Sequence, residues 1–155
     1  MKNSVMLICV LCFIGLTVNS YSEVKMHNMD EGSHHKMHSG KDERISLGLS
    51  PAMKQHQLSN MRNHVEAVQS IIGLLSEGSF DKASHIAYSK LGLTEEMKKM
   101  CNSFENENFK TLGLAFHKSG DALGETLKTK DLTKSLGALH TTMSYCIQCH
   151  ATFRQ

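Results

Sequence analysis

The chain has no tryptophan, few aromatic residues of any kind and a single proline, Pro51. Segments rich in β-branched and aromatic residues with strict alternation are also missing, and with them the pattern that would predict a sheet. What remains is helical periodicity, so the expected fold class is all-α. Charge of one sign is equally scarce: 17 Lys and Arg stand against 15 Asp and Glu, a net charge of +2. That balance supplies no strong field for nucleic acid. Neither a pair of carboxylates nor a nucleophile beside a base stands out, so an enzyme is not expected. At 155 residues the chain has room for one domain.

The only long apolar run is Val5 to Thr17, preceded by Lys2 and followed by Ser20 and Ser22. This is the layout of a secretory signal peptide, residues 1–22, with cleavage before Glu23. The run is too short for a comfortable membrane span, although an uncleaved anchor is the alternative. Neither Cys9 nor Cys12 follows a small residue as a lipoprotein cysteine would. Export removes both, leaving Cys101, Cys146 and Cys149. An odd number in an exported chain does not make a disulfide scaffold, so two of the three need another use.

Residues 23–49 form a polar tail that has too few aliphatic residues to bury a core, and its composition predicts disorder. Met26, His27, Met29, His34, His35, Met37 and His38 crowd its first half. Thioether and imidazole donors together suit copper, and imidazole also suits nickel or zinc, so this tail is a candidate metal site.

A folded domain is expected over 50–155. Ser50-Pro51 marks a helix start, with the serine as N-cap and the proline in the first turn. Met53, Gln57, Met61, Val65, Val68, Ile72 and Leu75 follow in steps of three and four, as one face of a long helix that ends before Gly78. A second helix is predicted over Phe80 to Leu91. Thr94-Glu95-Glu96 suits a further helix N-terminus. A third long helix runs from about Asn106 to Lys128, with Gly120 and Gly124 allowing close approach of a neighbour. Asp131 caps the last, whose stripe is Leu132, Leu136, Leu139, Met143, Cys146 or Ile147, His150 and Phe153. Four amphipathic helices with short connections predict an antiparallel four-helix bundle.

Cys146-Ile147-Gln148-Cys149-His150 is a Cys-x-x-Cys-His signature, the pattern of covalent haem c attachment. Residues three apart share a helix face, so both thiols can reach the two vinyl groups of one porphyrin, and the next residue can turn its imidazole to the iron. A zinc site would want a second Cys or Cys/His pair, and the chain has no second Cys-x-x-Cys. A thioredoxin-like pair would open a helix after a strand; this one closes a helix.

The signature lies in the last helix and is followed by Ala151-Thr152-Phe153-Arg154. In this it resembles class II c-type cytochromes, the cytochrome c′ and cytochrome c-556 family, whose four-helix bundle ends in Cys-x-x-Cys-His-x-x-Phe/Tyr-Arg/Lys. The turn Glu77-Gly78-Ser79-Phe80-Asp81 is similar to the family's Lys-Gly-x-x-Pro-Tyr-Asp, without its proline. The resemblance implies a periplasmic protein with one haem, held by Cys146 and Cys149, with His150 as proximal iron ligand. It also implies that a first-helix residue about four and a half turns before the glycine covers the opposite haem face. Counting back from Gly78 reaches Met61 or Arg62; Met61, with its thioether, is the expected sixth ligand, with Met53 and His64 as rivals on the same helix. Many relatives hold a haem propionate with a first-helix Arg; here Gln57 stands in that place, and Arg62 and Arg154 are the candidate propionate contacts. His117 and His140 are expected at the surface or an interface, and Cys101 as a small buried side chain.

The implied function is one-electron transfer. Its partners would be redox proteins and the haem maturation machinery, with no nucleic acid, and homodimers are common in that family. The alternatives are a five-coordinate haem protein that binds NO or CO, and a copper- or nickel-binding protein acting through the Met/His tail.

Overall fold

The computed structural model describes residues 41–155. The expected leader and the candidate Met and His metal ligands of the tail lie outside the described residues.

Among the described residues the fold is all-α apart from two strands of two residues each, and the helices that follow Ser50, Thr94, Asn106 and Asp131 start where that side chain takes up a free N–H. Helix α1 spans Pro51–Ser76, and Ser50 Oγ accepts from the Met53 N–H at 3.3 Å. It stops at Gly78, whose φ of 69° is the left-handed conformation that glycine adopts without strain. There the Gly78 N–H donates to Leu75 O and the Ser79 N–H to Leu74 O, the two bonds of a Schellman cap. Helix α2, Phe80–Ile86, widens into a π-helical turn over Ala87–Leu91. Helix α3 is short, Glu95–Asn102, capped by Thr94 Oγ1 and carrying Glu95 and Glu96 in its first turn. Helix α4, Glu107–Lys128, is capped by Asn106, and α5, Leu132–Thr152, by Asp131.

Helix α4 packs against both α5 and α2, whereas α1 packs along α2 and the π-turn. Two glycines on α4 make the α2 contact close. A methyl group on Gly120 would come within 2.5 Å of the Leu91 carbonyl, and one on Gly124 within 2.6–2.8 Å of the Tyr88 ring. The main core gathers Ile71, Leu75, Leu91, Phe116, Leu123, Leu127 and Leu139 around four small residues, Ala67, Ala83, Ala87 and Gly120.

Two predicted stripes are only partly buried, since Gln57 and Leu75 on α1 and Leu139 on α5 face inward but several of their neighbours do not. On α1 the buried residues are Gln57, Ala67, Ile71 and Leu75, while Val65 is 68% exposed and Ile72 50%. On α5 the buried face is Ser135, Leu139 and Thr142, and Leu132, Leu136, Met143 and Ile147 are exposed. The physical reason is that polar does not exclude buried when the donor is satisfied. Ser135 Oγ donates to Asp131 O at 2.7 Å, and Thr142 Oγ1 reaches Ser119 O on α4 at 3.2 Å and Ala138 O at 3.1 Å.

Residues 45–49, expected in the tail, pack onto the helical domain. Strand β1, Ile45–Ser46, pairs in parallel with β2, Phe153–Arg154. Leu47 and Leu49 then pack onto a second cluster formed by Phe104, Phe109 and Phe153. Those three rings meet edge to face, with centroids 4.7 and 5.2 Å apart.

Candidate functional site

Helix α5 carries Cys146, Cys149 and His150 on the side turned toward α1. Cys146 and Cys149 are half-buried and free of any disulfide. Ile147, between them, points the other way and is 69% exposed. All three signature residues line a cavity of about 300 Å³, within the range of small-molecule sites. Helix α1 contributes Gln57, Met61, His64, Val65 and Val68 to its wall. Helix α3 adds Met97, Met100 and Cys101, and α4 adds Phe109, Leu112, Phe116 and His117. The space exists because α1 and α5 take their packing from different neighbours, α2 and α4 respectively.

The wall contains no Lys, Arg, Asp or Glu. Burial accordingly moves its titratable groups toward their neutral forms. It raises the Cys146 thiol, and it pushes Cys149 up to about 11, with Cys146 beside it adding to the effect. Both are thiols rather than thiolates at neutral pH, which is the opposite of an activated redox cysteine. Burial, reinforced by His117, lowers His64 to about 4. His117 is lowered by burial too, against the pull of the Leu91 and Gly92 backbone and of Asp121. Both imidazoles are therefore neutral, and they lie edge to face with centroids 5.5 Å apart.

Met61 is half-buried in the cavity wall with His64 one turn further along α1. Met53 packs onto the second aromatic cluster instead and does not line the cavity. Arg62 is exposed and lines neither this cavity nor the groove beside it. Arg154 lies at that groove, with Nε 3.8 Å from Asp42. His140 is exposed and Cys101 buried, as expected. His117 is a correction. It is only 5% exposed and faces the cavity rather than the surface, because its Nδ1 bonds to Leu91 O at 2.9 Å where the π-turn brings that carbonyl to α4.

Sequence reasoning missed three thioethers in the wall, Met97, Met100 and Met143. The spacing of Met97, Met100 and Cys101 after the Thr94 cap was the available signal, three and four residues apart on one face. Of these, Met100 Sδ already accepts from Asn60 Nδ2 at 3.3 Å. Among the described residues, no three His, Cys, Asp or Glu side chains converge to hold a bare metal ion.

The donor set and the cavity fit a haem. Two protonated thiols share a helix face at the edge of an apolar space. An imidazole follows directly on the same helix, and a thioether and a second, neutral imidazole come from α1. Comparison with protein families, with characterised proteins and with solved structures found no match to this chain.

Proposed function

We propose that the chain is an exported c-type cytochrome of the class II kind, an antiparallel four-helix bundle that carries one covalent haem and passes single electrons between periplasmic redox proteins. The observation that carries this reading is that Cys146, Cys149 and His150 of one helix line the same apolar cavity as Met61 of another. When bound, haem supplies a one-electron couple between ferric and ferrous iron.

The chain's own residues would do the rest. Cys146 and Cys149 would hold the group through thioethers, which would make retention independent of affinity. His150 and Met61 would hold its iron, each on a long helix whose packing limits its movement. A thioether and a neutral imidazole suit both oxidation states, so electron exchange needs little rearrangement of the protein. Phe109, Leu112, Phe116 and Val68 exclude water from the same space.

The test is an optical and EPR spectrum of the haem-loaded protein beside Met61→Ala and His64→Ala. Low-spin iron in the unchanged protein, with the weak long-wavelength ferric band lost only in Met61→Ala, supports His/Met ligation and electron transfer. Loss in His64→Ala instead moves the sixth position to that imidazole. High-spin iron indifferent to both changes rejects the carrier reading in favour of an NO- or CO-binding protein.

A further inference from the structure

The cavity continues into a more open groove of about 490 Å³, and Gln57, Met61, Phe109, Cys149 and His150 are walls of both. The chemistry changes along the way. No Lys, Arg, Asp or Glu lines the cavity, whereas Arg44, Lys54 and Arg154 all line the groove and no Asp or Glu side chain does. The three cations come from separate elements. Arg44 lies in the strap that enters β1, Lys54 in the first turn of α1, and Arg154 in β2. Pairing of β1 with β2 sets Ser46 opposite Arg154 and so brings the strap to the end of α5.

Arg44 is already oriented. Asp42 accepts from its Nε at 2.9 Å and its Nη2 at 2.8 Å, and its Nη1 donates to the His150 carbonyl at 3.3 Å. Lys54 Nζ donates to Gln155 O at 3.4 Å. Asp42 also lies 3.8 Å from Arg154 Nε, so one side-chain carboxylate is shared by two guanidinium groups. An apolar cavity that opens onto a basic groove matches a ligand with apolar faces and an acidic edge. A guanidinium fork is the side chain best shaped to hold a carboxylate.

We propose that Arg44, Lys54 and Arg154 form an anion-binding end of the cavity that takes the propionate carboxylates of the haem, with Asp42 as a positioning residue for Arg44. This rests on the haem reading. The strap that leads into β1 is then part of the binding site, and its tie to β2 sets one wall of it.

The experiment uses the full chain made without haem, titrated with iron mesoporphyrin and with its dimethyl ester. Neither has vinyl groups, so no thioether forms and binding stays reversible. The expected result is that the diacid binds at least tenfold more tightly (about 1.4 kcal/mol), although the ester is the more apolar ligand. The triple variant R44Q/K54Q/R154Q should bind the two within about twofold, and Lys54→Gln alone, on an exposed side chain, should lower the preference severalfold. Equal binding of diacid and diester by the unchanged chain overturns the proposal and leaves the haem reading standing. Binding of neither by a chain with helical circular dichroism overturns both. A tenfold preference that persists in the triple variant, or one that Lys54→Gln leaves undiminished, overturns the assignment to these residues.

Discussion

Gly120→Ala and Gly137→Ala are the same chemical change in two helix interiors, and they are expected to have opposite signs. Alanine is favoured over glycine inside a helix by about 1 kcal/mol. At Gly137 a methyl group meets nothing within 4 Å, so that gain stands and stability should rise by about 0.5–1 kcal/mol. At Gly120 the methyl carbon lands 2.5 Å from the carbonyl carbon and oxygen of Leu91 and 2.9 Å from its Cβ. Ordinary contact needs about 3.5–4.0 Å, so α4 and the π-turn must part by about 1 Å. Backbone atoms have no rotamer to escape into, which puts the strain at the upper end of about 1–3 kcal/mol. The net loss is about 2 kcal/mol, a fall in Tm on the order of 8 °C. The Leu91 carbonyl also holds His117, so the cavity wall shifts with it. Thermal denaturation of both variants beside the unchanged protein, in the same haem state, reads the difference. A Gly120→Ala protein as stable as Gly137→Ala would refute the close approach of α2 to α4.

Leu136 and Leu139 lie on the same predicted stripe but differ in the fold, 48% and 4% exposed. Leu139→Ala should cost about 2–4 kcal/mol and Leu136→Ala less than about 1 kcal/mol, by urea denaturation; equal costs would restore the predicted face. In the haem-free chain, His64 is held near pH 4, well below its ordinary 6.5, by burial. The unfolded chain therefore binds more protons between those values. Stability is complete above about pH 6.5 and is lost as pH falls toward and through about 4, by about 3 kcal/mol in all. Chemical denaturation from pH 4 to 7 measures this, and His64→Gln should flatten the slope; an equal slope in the variant contradicts the burial of that ring.

Local signals were the legible ones. Ser50, Thr94, Asn106 and Asp131 each cap the helix they were read to start, because a cap bonds to a backbone N–H a few residues away. Gly78, Gly120 and Gly124 likewise do what their positions suggested. Cys146 and Cys149 could be placed on one face from spacing alone. Helix orientation was harder, because Ala67, Ser135 and Thr142 are buried yet weigh little in a hydrophobic pattern. The strap was illegible for a different reason. Ile45 pairs with Phe153 and Arg44 with the His150 carbonyl, residues so distant in sequence that no local window joins them. His117 required the π-turn, which no spacing announced: the widened turn exposes the Leu91 carbonyl that makes a buried imidazole affordable in hydrogen-bond terms.

The central claim is the covalent haem, and intact-protein mass spectrometry tests it most directly. The full chain, produced with and without a cytochrome c maturation system, should differ by the mass of one haem. That increment should map to the peptide containing residues 146–150 and disappear in the double variant Cys146→Ser, Cys149→Ser. Chains of equal mass, with both thiols free to react with an alkylating reagent after maturation, would contradict the account.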